Sequence, residues 1–206
     1  MLQIKNYKKL FGSYLILDIP TLELQQKLHW LQGENGSGKT TFLKSVAGLI
    51  PFDGDVNLND VSLKKQRQRY TAIVNYAGAE PRYPGFLTGS DLIKFYTGAK
   101  GGDSHTVEKI ATALNMTHYL RNKTSSYSSG MTKKLSLLLA FIGEPELILL
   151  DEPFTTLDVE AVAMLYELIK EGATNGIMFC ISSHQQLTLP HTSLLVQAKT
   201  IISQPQ

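Results

Sequence analysis

Cysteine is almost absent from these 206 residues: Cys180 stands alone. One thiol excludes an internal disulfide and a four-cysteine zinc site, and it suits a reducing compartment. Charge of one sign is lacking too. Twenty Lys and Arg face eighteen Asp and Glu, a formal net charge of +2. That excess is too small for a nucleic-acid-binding field. Long hydrophobic runs are missing. The longest, residues 135–142, falls well short of the roughly 18 residues that read as a membrane span. Residues 1–10 are polar and basic and lack the apolar stretch of a signal peptide. Any membrane role is therefore expected through a partner. Low-complexity stretches, internal repeats and linkers are absent as well. What is present is globular composition, 43% hydrophobic and 18% charged, long enough to bury a core without metal or disulfide support. A single domain over 1–206 is expected.

Short strand-like segments at 2–5, 14–19, 28–31 and 55–58, separated by turn residues, predict an antiparallel β-layer. From Gly33 the pattern changes to strand–helix alternation. A helix is predicted over 40–49, stopped by Pro51, and a strand over 71–76. Helices over 90–96 and 105–114 are split by Gly101 and Gly102. A long apolar helix over 129–142 has Gly143 and Pro145 as its stop signals. Residues 147–151 and 177–182 are continuous apolar runs, as in parallel strands buried on both faces. A helix over 159–171 lies between them. The fold expected is α/β: a parallel-sheet core of phosphate-loop type, an antiparallel β-lobe, and a helical insertion at about 85–130.

Two segments carry chemistry. Gly33, Glu34, Asn35, Gly36, Ser37, Gly38, Lys39 and Thr40 fit G-x-x-x-x-G-K-[ST]. They follow a strand-like segment and open a helix, the context this motif requires. The glycines let successive N–H groups face an anion, and the helix N-terminus adds the positive end of its dipole. Lys39 would meet the β- and γ-phosphates of a nucleotide, the Thr40 hydroxyl can ligate Mg²⁺, and Thr41 can reach the α-phosphate side. The second segment is the run 147–151, which ends in Asp151 followed by Glu152. A buried strand should not finish in two acids unless something cationic waits there. Mg²⁺–nucleotide, at the C-terminal ends of parallel strands, is the natural candidate. Asp151 would hold Mg²⁺ through water, and Glu152 would orient and deprotonate the attacking water.

The residues around these motifs narrow the class. Tyr127-Ser128-Ser129-Gly130-Met131, ahead of the apolar helix, resembles the signature sequence of ATP-binding cassette (ABC) proteins, usually L-S-G-G-Q. Residues 147–153 resemble the family's Walker B strand with its catalytic Glu. Thr156-Leu157-Asp158 resembles the D-loop, Ser182-Ser183-His184 the switch-histidine segment, and Phe11-Gly12 the aromatic–glycine pair that stacks on adenine. The resemblance covers almost the whole chain. It implies the ATPase subunit of an ABC transporter, binding ATP and Mg²⁺. It places Ser128, Ser129 and Gly130 against the γ-phosphate held by a second subunit, and His184 against the γ-phosphate and water. It further implies a homo- or heterodimer bound to a separate membrane permease at the inner face of the cell membrane, without nucleic acid.

The pattern departs from the family in places. The Gln usual after the strand at 71–76 is missing: Ala79 takes its place and Glu80 follows, a substitute oxygen ligand for the metal. Tyr127, Ser129 and Met131 replace Leu, Gly and Gln, and Phe11 replaces the commoner Tyr. A stacking platform needs only a ring face, although a core aromatic of the β-lobe is the other reading of Phe11. Phe86, Phe95 and Tyr96 read as ordinary helix-packing residues, or as an apolar patch toward the membrane partner. The basic cluster 64–69 reads as a solvated helix face. Two alternatives stay open: a soluble ABC ATPase, and a nucleotide sensor uncoupled from transport.

Overall fold

The computed structural model describes residues 1–204. Two long strands, β1 (Leu2–Phe11) and β2 (Tyr14–Leu24), form a hairpin through Gly12. Next, β3 (Leu28–Gln32) feeds the phosphate loop and α1 (Lys39–Val46). Then come β4 (Asp53–Leu58), the two-residue β5 (Val61–Ser62), and α2 (Arg67–Ile73), which runs directly into β6 (Val74–Ala77). A helical stretch follows: α3 (Gly89–Lys100), α4 (Ser104–Ala113), a single 3-10 turn at Thr124–Ser126, and α5 (Ser129–Ala140). Last are β7 (Leu147–Asp151), α6 (Val159–Thr174), β8 (Met178–Ser182), and the hairpin of β9 (Thr192–Gln197) and β10 (Thr200–Gln204).

The strands divide into two sheets. One is antiparallel, in the order β2-β1-β4-β5; the other runs β10-β9-β3-β8-β7-β6 and is parallel except for β10. Side chains alternate across a strand, and here the alternation assigns each face a core. Leu147 and Leu149 of β7, with Met178 and Cys180 of β8, meet α1 (Phe42, Leu43, Val46) and the inward face of the antiparallel sheet. Ile148, Leu150, Phe179 and Ile181 point the other way, onto α4, α5 and α6. All ten residues of β7 and β8 are buried, as their unbroken apolar runs require.

Helix ends are closed by identifiable side chains. Thr88 and Asp91 form a reciprocal capping box at α3, while Asp103 caps α4, Ser128 caps α5 and Asp158 caps α6. At the far end of α5, the buried Asn75 of β6 donates to the carbonyls of Ala140 (2.8 Å) and Ile142 (2.9 Å).

The expected α/β architecture is present, with three local corrections. Residues 71–76 are not one strand: 71–73 finish α2, and only 74–77 pair with β7. Tyr70, fully buried and donating to Val46 O (2.9 Å), anchors that helix on α1, so tertiary packing overrides the β-propensity of Thr71 and Ile73. Residues 28–31 do not belong to the antiparallel layer; β3 pairs in parallel with β8 and β9. The β9–β10 hairpin has no counterpart among the expected elements. Its turn is made by Ala198 and Lys199, both at positive φ, which are not the Gly or Asn that ordinarily mark such a turn.

Candidate nucleotide site

Strand β8 lies between β3 and β7. The phosphate loop, Ser182 and Asp151 therefore emerge side by side at the C-terminal ends of parallel strands, where open α/β sheets bind ligands. A cavity of about 220 Å³ opens there. Its lining brings together Gly36, Gly38, Lys39, Thr40 and Thr41 with Asp151, Glu152 and His184. Asn35 and Ile16 complete it. Nine residues expected at the site from three separate parts of the sequence, Asn35 among them, thus share one wall.

The loop owes its path to glycine. Gly36 and Gly38 sit at φ +79° and +108°, where a side chain would be strained. Gly38 forms the N-terminal boundary of α1, so the first N–H groups of that helix face the cavity. A turn closes from Ser37 N to Glu34 O (3.2 Å). Lys39 is 8% exposed and folds back across the loop, donating to Gly33 O (2.7 Å) and Glu34 O (3.1 Å). The hydroxyl oxygen of Ser37 is buried without a hydrogen-bond partner. Buried polar atoms in native proteins are nearly always paired; this one lies on the Gly33 side of the loop, away from the cavity.

Asp151 is 1% exposed and accepts from three hydroxyls. Thr40 Oγ1 (3.1 Å) and Ser182 Oγ (2.6 Å) meet one carboxylate oxygen, and Tyr76 Oη (3.1 Å) meets the other. Burial, with the Asp151 charge beside it, drives the Tyr76 phenol far above its ordinary value. It stays protonated and donates. Glu152 is held in the left-handed region, at φ +46°, an uncommon place for a non-glycine residue and one that clusters at functional sites. Its N–H bonds both the carbonyl (3.0 Å) and the hydroxyl (3.1 Å) of Ser182. Its carboxylate faces His184: Oε2 accepts from His184 N (3.4 Å), while Oε1 lies 3.4 Å from His184 Nε2 and makes no hydrogen bond.

The remaining expected residues lie elsewhere. Glu80 is exposed and lines a neighbouring cavity of about 600 Å³, which also reaches Thr40, Asp151 and Tyr76. Ser128 and Ser129 are exposed at the start of α5; Ser128 Oγ accepts from Met131 N (3.2 Å). A Cβ on Gly130 would stand 2.8 Å from Thr156 O, so only glycine lets the signature segment approach the loop after β7. Asp158 caps α6 and pairs with Lys134 of α5 at 2.7 Å. Phe11 is 55% exposed, so it is not a core aromatic of the β-lobe. The Lys9 ammonium sits 4.5 Å from its ring centre. Phe86 and Phe95 are 74% and 70% exposed, which corrects their reading as helix-packing residues; Tyr96 does pack on the second core.

Three contributors were missed by the sequence reading: Tyr76, Ser182 in its contact with Asp151, and Lys133. Lys133 left a signal. It precedes Leu137 and Ala140 by four and seven positions, on the buried face of α5.

Fold and site together define a phosphate-loop nucleotide-binding domain with a β-lobe and a helical insertion. The family model described as ABC transporter matches residues 20–155, and the chain belongs to that family. It is 33% identical over 160 residues to the aliphatic sulfonates import ATP-binding protein SsuB 2 of Burkholderia cenocepacia (strain HI2424), covering 77% of this chain and 58% of that one. It is 31% identical over 191 residues to the bacitracin transport ATP-binding protein BcrA of Enterococcus faecalis, covering 89% and 61%. The chain thus spans about three fifths of the length of these relatives. A solved structure described as the ATP binding subunit of an ABC transporter superposes with a TM-score of 0.90 at 23% identity, covering 100% of this chain and 90% of that one. A dimeric, post-hydrolysis ATP-binding cassette bound to ADP and Pi superposes at 0.82 and 19%, covering 100% and 98%. At these identities the likeness is one of fold.

Proposed function

We propose that this chain binds and hydrolyses ATP as the motor subunit of an ABC transporter, the whole of 1–206 acting as one ATPase domain with its helical insertion at about 85–130. The observation that carries this reading is the 220 Å³ cavity, which joins the phosphate loop, Asp151, Glu152 and His184. The loop amides, the α1 N-terminus and Lys39 receive the phosphates of ATP. Glu152 takes the proton of the attacking water, and His184 beside it holds water and γ-phosphate in register. Phe11 offers the adenine a ring face.

The oxygens of Thr40 and Asp151, 3.1 Å apart, form a hard donor set that fits Mg²⁺, with Glu80 at the rim of the adjoining cavity as a further oxygen. When bound there, the ion neutralises charge on the β- and γ-phosphates.

Ser128, Ser129 and Gly130 do not line the chain's own cavity. The exposure of Ser128 and Ser129 supports a dimer in which each signature segment, with Asp158 behind it, closes the partner's site. No helix among the described residues is long and apolar enough to cross a membrane. The exposed Phe86 and Phe95 and the transport functions in the relatives' names support a separate permease, which would hold the subunit at the cytoplasmic face.

Mg²⁺-dependent phosphate release and equilibrium binding of a fluorescent ATP analogue test the reading together. Lys39→Ala should weaken binding at least about tenfold, a loss of about 1.4 kcal/mol. Glu152→Gln should bind normally and hydrolyse about 10²–10⁴-fold more slowly. Normal binding by folded Lys39→Ala contradicts the assignment of the loop.

A further inference from the structure

The most deeply buried lysine is not in the phosphate loop. Lys133, early in α5, is 1% exposed. Its ammonium donates to three backbone carbonyls: Ala79 (2.7 Å), Glu152 (3.0 Å) and Gly78 (3.1 Å). An ammonium has three donors, and all three are used. None of the ion pairs among the described residues includes it. It lines neither cavity at the site, so it does not touch the phosphates.

Burying a cation is costly. A position that needed only packing would be filled by an apolar side chain, as at Leu137 and Ala140 on the same face. Burial pushes the Lys133 ammonium down to about 8, with the charges of Asp151, Glu152 and Glu80 acting in the opposite direction. What this arrangement secures is convergence. The three carbonyls belong to two segments with separate roles. Gly78 and Ala79 open the loop after β6, where Ala79 stands in place of the family's Gln and Glu80 follows. Glu152 carries the catalytic carboxylate. Its left-handed backbone is fixed on one side by Ser182 and on the other by Lys133 and the Thr155 hydroxyl, which donates to Glu152 O at 2.8 Å. The buried carboxylate oxygen Oε1 has no hydrogen bond of its own, so its direction is set by that backbone and by the single long contact of Oε2 with His184 N.

We propose that Lys133 is a positioning residue that locks Glu152 and the loop 78–80 into one arrangement, so that hydrolysis, and not nucleotide binding, depends on it. This rests on the reading of Glu152 as the proton acceptor.

The test is a double-mutant cycle. Lys133→Met and Lys133→Gln are each made alone and with Glu152→Gln; the amide of Lys133→Gln keeps two N–H donors in place of three. Binding of a fluorescent ATP analogue, turnover and single-turnover hydrolysis are measured. With Glu152 present, Lys133→Met should lower kcat at least about tenfold and change ATP affinity less than about threefold. With Glu152→Gln, the same substitution should change the residual rate less than about threefold, because the group it positions is gone. Lys133→Gln should follow the same pattern with a smaller loss, and it carries the cycle if Lys133→Met does not fold.

Equal losses in both backgrounds, or an affinity that falls in step with kcat, would overturn the proposal. So would failure of both single variants to fold, which makes Lys133 a requirement of the fold. Normal turnover by Glu152→Gln alone would instead overturn the reading of the site itself.

Discussion

Asp151 and Glu152 close β7 on the hydroxyls that hold them: Ser182 and Tyr76 donate to Asp151, and Ser182 accepts from Glu152 N. Nothing in the sequence around Tyr76 or Ser182 marks a hydroxyl as bonded to a carboxylate; only the β6–β7–β8 pairing makes them neighbours. Ser182 matters most. It is fully buried, donates to Asp151 and accepts from Glu152 N, so one oxygen orients both acids. Hydrogen bonds to charged groups contribute about 1.5–3 kcal/mol. Ser182→Ala should therefore lower stability by an amount in that range and kcat by about tenfold, read from denaturant unfolding and steady-state turnover. The resemblance to the switch-histidine segment marks His184, and the structure sets its Nε2 3.4 Å from Glu152 Oε1. For Phe11, exposure removes the core reading, and adenine stacking stays a proposal.

Elements were read where one period dominates. β7 and β8 are unbroken apolar runs, and α5 and α6 carry caps and stop signals, so their type and approximate ends were visible. The reading failed where tertiary contacts set the conformation. Thr71 and Ile73 are β-formers held in α2 by the burial of Tyr70. β3 looks like its antiparallel neighbours in composition, and only its partners make it parallel. The β9–β10 turn lacks a turn residue altogether. One further contact ties elements together beyond what propensity reveals: Asn75, buried in β6, bonds the last carbonyl of α5 and that of Ile142 just beyond it. Asn75→Leu removes both bonds and leaves those carbonyls buried, at about 1–3 kcal/mol for an unsatisfied group. The midpoint of urea unfolding should fall by a corresponding amount while ATP affinity holds. An unchanged midpoint would mean that α5 ends on other partners.

At the scale of the molecule, the phosphate loop and the signature-like segment open helices on opposite faces of the parallel sheet. α1 packs in the core shared with the antiparallel sheet, whereas α5 packs in the core on the opposite face. The cavity gathers the phosphate loop with Asp151, Glu152 and His184 and leaves Ser128, Ser129 and Gly130 outside. Under the proposed function, the signature reaches such a site from a second copy or a homologous subunit. Glu152→Gln should trap that state, since it retains ATP binding, cannot accept the water's proton, and removes a negative charge beside the γ-phosphate. The direct measurement is the solution mass of Glu152→Gln protein in Mg·ATP, by light scattering, alone and combined with Ser128→Arg. Glu152→Gln should show a mass twice the 22.8 kDa of the monomer, and the monomer mass once Ser128→Arg blocks closure. An ATP-bound Glu152→Gln protein that stays monomeric, or a Ser128→Arg variant that dimerises as readily, would contradict the proposed dimer.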